Sequence, residues 1–249
     1  MGLIHKDTFI CLDCETTGLE PETDQIIEIA IARFNYNEIL ESYETLIDPL
    51  IEIPEASIAI HHITNSMVKG KPSVQEILPQ IFSFIGRDII VGHGITTDIA
   101  FILQAAKKHK IATTIGSHPF LDTLRLARLY GESPTNSLQR LRQHFNIAEE
   151  GAHRAMSDVI VNIEVFKHLT RRFKTTEQVV ERLKNPILLK AMPLGKHKGR
   201  SFSEIPIEYL SWAVHQKFDQ DLLFSLKTEL KKRKKGSQFG QSTSPFANL

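Results

Sequence analysis

Residues 9–20, FICLDCETTGLE, begin as an apolar run and then carry two carboxylates, Asp13 and Glu15, two positions apart. The run predicts a buried β-strand, in which residues i and i+2 point to the same face. Both carboxylates would then project side by side from the strand end, where two like charges are costly without a cation between them. Carboxylate oxygens suit Mg²⁺ or Mn²⁺. Short acidic pairs are also common on solvated surfaces, so other residues must decide whether this pair is a site.

The segments around this strand alternate between strand and helix patterns. Neighbouring strands are predicted in QIIEIAIARF and ILESYETLID, and short strands in DIIVGH and PFLD. Helices are predicted in SVQEILPQIFSFI, from about Thr97 to His109, in TLRLARLY and in NSLQRLRQHF. A long helix is predicted to begin near His153, and its helical character continues to about Lys184. This order predicts a mixed α/β fold.

Two prolines and two glycines interrupt the helical pattern between residues 185 and 199, and this change predicts a domain boundary. We expect a first domain over residues 1–184 and a small α-rich domain over residues 185–235. The helices of the small domain are predicted in PIEYLSWAVHQ and DQDLLFSLKTELKKR. Residues 236–249 are rich in Ser, Gly and Gln and are predicted to be disordered.

The formal net charge of +1 conceals a split. Residues 1–169 hold 14 Lys and Arg against 22 Asp and Glu, whereas residues 170–249 hold 16 against 7. This asymmetry suggests that one part gathers cations and the other meets a polyanion, although the basic residues could also serve solubility alone. No apolar run approaches the roughly 20 residues that span a bilayer, and no signal-peptide pattern opens the chain. We therefore expect a cytoplasmic protein.

The only cysteines, Cys11 and Cys14, have the C-x-x-C spacing of a redox motif or of half a zinc site. In a strand, this spacing separates the Cα atoms by about 10 Å and places the side chains on opposite faces, which excludes a disulfide. No second cysteine pair completes a zinc site. We interpret both cysteines as small apolar residues.

Three further residues strengthen the metal hypothesis. The segment VGHGITTDIAFI places Asp98 in a helix that follows a strand, and HRAMSD places His153 five residues before Asp158. Five residues are about 1.4 helical turns, so the two side chains would diverge on a regular helix. We therefore expect His153 in the loop before the helix and Asp158 within it.

Taken together, these residues resemble those of a known family. The residues in question, in chain order, are Asp13, Glu15, Asp98, His153 and Asp158. This set resembles the DEDDh (DnaQ-like) exonucleases, which include the proofreading epsilon subunit of bacterial DNA polymerase III, RNase T and oligoribonuclease. The resemblance covers about residues 7–172 and extends to TTGL, IIEIA, HHIT, LDT and NSLQRL. It implies an RNase H-like mixed sheet flanked by helices.

The resemblance also implies a chemistry. Two divalent ions, Mg²⁺ or Mn²⁺, would be held by Asp13, Glu15, Asp98 and Asp158, and His153 would take a proton from the attacking water. The residues implied around the terminal 3′ nucleotide are Thr16, Thr17, Gly18, Leu19, His62 and His93, of which His93 is expected to be structural. The family usually has Asn and Phe where this chain has Gly94 and Thr97, and Gly where it has His62.

The segment MPLGKHKGRSFSEIPIEYLSWAV resembles a small bacterial domain with a MPFGKxKG opening and a PxxYLxW segment, whose biochemistry does not follow from the resemblance. Within it, Lys196, Lys198 and Arg200 are candidate nucleic-acid contacts, because they lie near Tyr209 and Trp212, which can stack on bases. A solvated basic loop over a small aromatic core is an equally open interpretation.

The segment QSTSPF, Gln241–Phe246, resembles the short peptides by which bacterial polymerase subunits dock on the sliding clamp. Gln241 would supply the hydrogen-bonding amide and Phe246 the apolar anchor. Ser244 stands where such peptides prefer Leu or Met, and Ser/Gln-rich tails also produce such matches by chance.

Together these features predict a metal-dependent 3′–5′ exonuclease that acts on single-stranded or frayed 3′ ends of DNA in replication proofreading or repair. A polymerase and a sliding clamp are the expected protein partners. Two alternatives are a 3′ exoribonuclease and a scaffold that binds nucleic acid or a polymerase without catalysis. The sequence leaves DNA and RNA open, because selection against the 2′-hydroxyl depends on pocket dimensions. The presence of all five chemistry residues argues against the scaffold.

Overall fold

The structure is a computed structural model that describes residues 2–133, 135–148 and 154–241. The chain divides into two compact units, Met1–Leu183 and Lys184–Leu249. This division lies one residue before the expected boundary at 184/185.

One five-stranded sheet organises the first unit. Its strands are β1 (Phe9–Thr16), β2 (Ile26–Phe34), β3 (Ile39–Leu46), β4 (Ile89–Gly92) and β5 (Phe120–Asp122). Their order is β3-β2-β1-β4-β5, with antiparallel pairing from β1 to β3 and parallel pairing of β4 with β1 and with β5. The predicted mixed sheet is confirmed, and the strand that carries the acidic pair lies at its centre.

Eight α-helices flank the sheet within the described part of this unit. They are α1 (Glu55–His61), α2 (Asn65–Val68), α3 (Val74–Ile85), α4 (Thr96–Lys108), α5 (Thr123–Tyr130), α6 (Leu138–His144), α7 (Ala155–Thr170) and α8 (Thr176–Lys184). The short helices α1 and α2 were not predicted. The fold class, a mixed sheet flanked by helices, is confirmed.

The predicted helical stretch up to residue 184 is wrong at one point, because it is interrupted between α7 and α8. There Thr175 forms an isolated β-bridge with Leu3, and Lys174 accepts a backbone hydrogen bond of 3.0 Å from Ile4. Backbone groups that pair with the N-terminal segment cannot also continue a helical ladder, so the chain leaves the helix for five residues.

Two hydrophobic cores cover the two faces of the sheet. Alternate residues of β1 separate them: Phe9 and Cys11 pack in the core that includes α7, whereas Ile10 and Leu12 pack in the core that includes α3 and α4. Asp13 continues the α7-side row, because side chains alternate along a strand. Both cysteines are free thiols, Cys11 buried and Cys14 half-buried, which agrees with their interpretation as small apolar residues.

The second unit is built around α9 (Ile207–Ala213) and α10 (Gln220–Gln241). Its core consists of Met192, Phe202, Ile205, Leu210, Ala213, Leu222 and Leu226. The buried Asp221 carboxylate accepts a hydrogen bond of 3.0 Å from the backbone of Ile187 and so attaches the segment before the core to α10.

Helix α10 extends through Gln241 and therefore includes the first six residues of the stretch that was expected to be disordered. Lys, Arg and Gln are good helix formers, and no proline interrupts the helix before Pro245, so a helix that has begun at Gln220 can propagate this far. Residues 242–249 lie outside the described residues. None of the described helices is both long and apolar enough to span a bilayer.

Candidate metal centre

The carboxylates of Asp13, Glu15 and Asp158 converge at the end of the central strand. Each offers an oxygen atom that lies within 4.8 Å of the others. Asp13 and Glu15 come from β1, and Asp158 comes from the first turn of α7, where its backbone N–H donates to the Arg154 carbonyl at 3.1 Å. Because side chains alternate along β1, Asp13 and Glu15 point to the face of the sheet on which α7 packs. The three carboxylates therefore meet on that face.

Asp98 approaches the same strand end from the other helical layer. It lies in the first turn of α4, and its Oδ1 accepts a hydrogen bond of 3.0 Å from the backbone N–H of Cys14, the residue between Asp13 and Glu15. The fourth predicted carboxylate is thus fixed to the backbone of β1 between Asp13 and Glu15, but it is not one of the three whose oxygens lie within 4.8 Å of one another. The site lies where helices from both faces of the sheet reach one strand end.

Burial and mutual repulsion raise the pKa values of the carboxylates in this cluster. Burial, and then the carboxylates of Asp98 and Asp158, raise the pKa of Asp13 well above its ordinary value. Burial and the Asp158 carboxylate raise the pKa of Glu15 to about 8, and burial raises that of Asp98 to about 7. Oxygen ligands that repel one another in a desolvated site are suited to a hard divalent cation. The residues present therefore fit a divalent metal site.

Glu28, which sequence reasoning treated only as part of a strand, is the anchor for the start of α7. Its side chain is 1% exposed and faces Glu15 across the β1–β2 pair. Its carboxylate accepts hydrogen bonds from Arg154 Nε at 3.0 Å and from the backbone N–H of Ala155 at 3.0 Å. A charged residue inside the otherwise apolar run IIEIA was the signal that could have identified it.

Asp122 is a second residue without a predicted role. Its buried Oδ1 accepts backbone hydrogen bonds of 2.9 Å from Gly94 and 2.8 Å from Leu124. The first of these holds the loop between β4 and α4, and the second caps α5. The signal for this role was an aspartate directly before a helical pattern.

The proposed base, His153, lies outside the described residues. The neighbouring residues on its C-terminal side are described: Arg154 is the N-cap of α7, and Ala155 is the first residue of the helix. The helix therefore starts at Ala155, and the loop placement of His153 stays a prediction.

The segment after β1 is held by side chains from three parts of the chain. Thr16 Oγ1 donates to the Gly18 carbonyl at 2.6 Å, and the buried Thr17 Oγ1 contacts Asp24 Oδ1 at 3.3 Å. Ser57 of α1 donates to the Thr17 carbonyl at 2.7 Å. These contacts fix the backbone of the predicted nucleotide-binding segment.

Gly18 and Leu19 complete this segment. A Cβ atom at Gly18 would lie 2.4 Å from Asp24 Oδ2, so a larger residue would have to displace that carboxylate. Leu19 is 85% exposed. The segment therefore presents an apolar side chain to solvent on a backbone that its neighbours hold in place.

His93 belongs to a buried polar network behind the site. Its Nδ1 lies 3.0 Å from Thr123 Oγ1, and Thr123 Oγ1 donates to Asn162 Oδ1 at 2.6 Å. Asn162 Nδ2 in turn donates to Cys11 Sγ at 3.4 Å. Burial lowers the pKa of His93 to about 4, so its ring is neutral at physiological pH.

His62 ends α1 in the left-handed conformation, with φ of 59°. This explains why the family usually has glycine at this position, since glycine adopts positive φ without steric cost. The His62 side chain is exposed, whereas its neighbour His61 is buried and accepts a hydrogen bond of 3.0 Å from the Ile63 backbone.

The remaining predicted contacts lie in the second unit. Lys196, Lys198 and Arg200 are exposed residues of one loop. Gln241 is the last residue of α10, whereas Phe246 lies outside the described residues.

Comparison with known proteins identifies the first unit. An exonuclease family model matches residues 10–166. The chain is 34% identical over 160 residues to the DNA polymerase III subunit epsilon of Aquifex aeolicus. This match covers 64% of this chain and 78% of that protein. It is 32% identical over 169 residues to a PolC-type DNA polymerase III of Clostridium perfringens, but that match covers only 12% of the polymerase.

A second family model, described as "Putative quorum-sensing-regulated virulence factor", matches residues 181–230. This description attributes no chemistry to the second unit, whose expected resemblance to a MPFGKxKG domain stays a prediction.

Solved structures share the fold at lower identity. Exonuclease X in complex with 5′ overhanging duplex DNA has a TM-score of 0.56 and 23% identity, and the match covers 70% of this chain and 98% of that one. Exonuclease I of E. coli in complex with a dT13 oligonucleotide has a TM-score of 0.62 and 19% identity over 72% of this chain and 43% of that one. The fold is thus the RNase H-like exonuclease fold.

The acidic cluster lies within this fold, and the exonuclease family model matches more than half of the chain. The chain therefore belongs to the DnaQ-like exonuclease family, which includes the epsilon subunit of DNA polymerase III.

Proposed function

We propose that this chain is a metal-dependent 3′–5′ exonuclease that removes nucleotides from DNA ends in replication proofreading or repair. The observation that carries the proposal is the convergence of the Asp13, Glu15 and Asp158 carboxylates within 4.8 Å, on the fold of an exonuclease family. Buried like charges this close together lower the stability of the fold unless a bound cation compensates them. A divalent metal ion is the cation that suits carboxylate ligands.

In this proposal four carboxylates hold two Mg²⁺ or Mn²⁺ ions: Asp13, Glu15, Asp98 and Asp158. When bound, such ions would supply an activated water and would stabilise the leaving oxygen of an in-line displacement at phosphorus. The protein contributes rigidity, because two of these ligands stand on the central strand and the others in the first turns of two helices.

Other residues of the chain position the substrate and move the proton. His153 accepts the proton of the attacking water, since its ordinary pKa of about 6.5 suits a general base. The terminal nucleotide lies against Thr16, Thr17, Gly18 and Leu19, with the exposed Leu19 side chain against the base. His62 contributes at the edge of this site. His93 supports it from within the buried network.

The test combines metal binding with hydrolysis. Asp13→Asn removes a charge at the centre of the cluster, so we expect loss of calorimetric Mn²⁺ binding and loss of hydrolysis of a 3′-labelled oligonucleotide. Glu164→Gln, a substitution on α7 outside the cluster, is the matched control and should leave both unchanged. Near-wild-type hydrolysis by Asp13→Asn at saturating metal would overturn the metal assignment.

The substrate is tested with matched DNA and RNA oligonucleotides, each single-stranded, fully paired or paired with a mismatched 3′ end, in Mg²⁺ and in Mn²⁺. Faster degradation of DNA, and of the mismatched end relative to the paired end, is expected of a proofreading enzyme. Preference for RNA would assign the chain to 3′ exoribonuclease chemistry. Absence of hydrolysis on all substrates, with binding intact, would leave a binding scaffold.

We further propose that the chain works beside a DNA polymerase on the sliding clamp, with Gln241 and Phe246 as docking residues. The relatives that support this are subunits of DNA polymerase III. Titration of the full chain with the clamp should show binding that Gln241→Ala and Phe246→Ala each weaken, whereas Gln238→Ala does not. Binding that is indifferent to both substitutions would contradict this docking.

A further inference from the structure

A basic loop of the second unit presents three cations to solvent. Lys196, Lys198 and Arg200 are all exposed, and residues 190–203 contain no Asp or Glu. Among the described residues, no carboxylate lies within ion-pair distance of these three side chains. The positive charge of this loop is therefore available to an external partner.

Backbone contacts, and not the cationic side chains, hold the loop. Met192 N–H donates to the Arg200 carbonyl at 2.9 Å, and Gly199 N–H donates to the Met192 carbonyl at 2.8 Å. Gly195 and Gly199 have φ of 71° and 83°, which other residues adopt only with strain. The loop is thus a preformed turn, and a partner does not have to order its backbone.

An aromatic pair adjoins this loop. His197, buried within the loop, makes an edge contact with Tyr209 at 4.5 Å between ring centroids. Tyr209 in turn lies 5.3 Å from Trp212, which is on the same helix, α9. Tyr209 therefore connects the loop to Trp212, and we call Lys196, Lys198, Arg200 and Trp212 together the basic aromatic surface.

The exposure of Trp212 separates the two interpretations of this segment. Tyr209 packs against the core of the unit, as a small aromatic core would require, but Trp212 is 53% exposed and is absent from that core. Tryptophan is highly buried on average, because leaving its large apolar ring in water is costly. Trp212 is thus not needed for the core, and its ring is accessible on the helix whose Tyr209 contacts the basic loop.

We propose that the basic aromatic surface binds single-stranded nucleic acid, with a base stacked on Trp212 and phosphates bound by Lys196, Lys198 and Arg200. This deepens the proposed exonuclease function and rests on it for the identity of the polyanion. Residues 184–249 hold 12 Lys and Arg against five Asp and Glu, so the unit attracts a polyanion as a whole. Cations beside an exposed aromatic ring are the usual elements of sequence-tolerant single-strand binding.

Two acidic residues lie close in sequence to the residues of this surface, and one of them allows a test of the charge of the partner. Glu204 accepts a hydrogen bond of 3.3 Å from the Ser201 backbone and so belongs to the turn that follows the loop. Glu208 is exposed and lies one helical turn before Trp212. Its charge opposes a polyanion, so Glu208→Gln should tighten nucleic-acid binding, whereas a basic or apolar protein partner would gain nothing from its removal.

Trp212 is the only tryptophan of the chain, so its fluorescence reports directly on the surface. The full chain is titrated with an oligo-dT single strand in EDTA, which prevents hydrolysis. We expect saturable quenching, and anisotropy of a labelled strand should show affinity reduced roughly 5- to 150-fold by Trp212→Ala. Trp212→Phe should keep most of the affinity, and Phe224→Ala, which removes another exposed aromatic ring of the unit, should keep all of it.

The electrostatic part is tested by salt dependence. Replacing Lys196, Lys198 and Arg200 by Ser should flatten the slope of log affinity against log salt by about 2, since each phosphate contact contributes about 0.7 for a single strand. Binding without quenching, or a slope and affinity unchanged in both variants, would overturn the proposal and point to a protein partner. If the protein hydrolyses DNA but its slope and affinity are unchanged in both variants, only the proposed role of the basic aromatic surface is contradicted. If the strand quenches Trp212 but is not hydrolysed in Mg²⁺, only the proposed nuclease function is contradicted.

Discussion

Glu28 illustrates how a residue that touches no substrate can decide the geometry of the site. It lies opposite Glu15 in the sheet and binds the first N–H of α7, the helix that carries Asp158 one turn later. Arg154 pairs with its carboxylate. Its negative charge still contributes to the raised pKa of Asp13 and of Glu15, so the order it adds comes with some added repulsion in the cluster. We regard it as a positioning residue that links two of the proposed metal ligands.

We predict that Glu28→Gln weakens metal binding. An amide offers one acceptor where the carboxylate offers two, so the start of α7 and Asp158 would shift. Loss of such an outer contact typically reduces metal affinity about 10- to 100-fold, and calorimetric Mn²⁺ titration measures it. Glu28→Asp should restore part of the affinity, and Glu41→Gln on the exposed edge strand should have no effect. A lowered melting temperature with unchanged metal affinity would reduce Glu28 to a structural role.

A second prediction at this scale concerns His153. If it is the general base, His153→Ala should lower kcat by roughly 10²- to 10⁴-fold and leave binding of a single strand in EDTA almost unchanged. The pH profile of kcat should also lose its acidic limb, because the group whose deprotonation it reports is gone. A collapse of binding with kcat preserved would show that His153 contacts the substrate and transfers no proton.

The shared face of Asp13 and Glu15 was predictable from sequence because a short-range rule fixes it. The strand alternation of residues 13 and 15 predicts one shared face, and the structure brings both to Asp158. Glu28 was not predictable in its role, because its partner Arg154 lies 126 residues away and nothing local indicates that contact. His62 shows a similar limit: its left-handed φ comes from the end of α1, a helix that the pattern did not reveal.

At the scale of elements, α7 is attached to the sheet at more than one point. Glu28 of β2 binds its N-terminus, and Asn162 in its middle connects to Cys11 of β1 and Thr123 of α5. These polar contacts supplement the apolar packing of the helix against β1 and β2. They select one position of α7, because a helix that slid or rotated would lose them.

We therefore predict a measurable coupling between Thr123 and Asn162. Thr123→Val keeps the shape but leaves the buried Asn162 Oδ1 without this donor, so the free energy of unfolding should fall by about 1–3 kcal/mol. In a double-mutant cycle by urea denaturation, Asn162→Leu should cost less in the Thr123→Val background than in the wild type. Thr114→Val, at an exposed position, is the control. Strict additivity would show that the bond contributes no net stability.

Long elements with a clear period were predictable, and α4 begins and ends within one residue of its expected bounds. The break between α7 and α8 was not, because it depends on pairing with residues 3 and 4 at the other end of the sequence. The extension of α10 through Gln241 was missed for the opposite reason: composition was weighed more than the propagation of a helix already formed.

At the scale of the whole molecule, the acidic cluster links stability to pH and to metal. The folded state raises the pKa of Glu15 from 4.5 to about 8 and that of Asp98 from 3.8 to about 7, so it holds protons that the unfolded chain has released. The stability associated with these groups is fully present below about pH 4 and is lost as the pH rises through about 7 to 8.

We predict that the melting temperature of the protein in EDTA falls between about pH 5 and pH 8. Divalent metal should oppose this fall, increasingly so at higher pH, because it replaces the protons between the carboxylates. Asp13→Asn should flatten the dependence in EDTA, since it removes one of the repelling charges. A melting temperature in EDTA that rises over this range would contradict the raised pKa values.

The hydrogen bond between the Cys14 amide and Asp98 has a practical consequence. This N–H lies on the central strand between two proposed ligands and donates directly to a third carboxylate. Its ¹H and ¹⁵N resonances should move whenever a proton or an ion changes the charge on Asp98. One peak in a heteronuclear spectrum would thus serve as a gauge of site occupancy, readable without substrate and in variants that do not turn over.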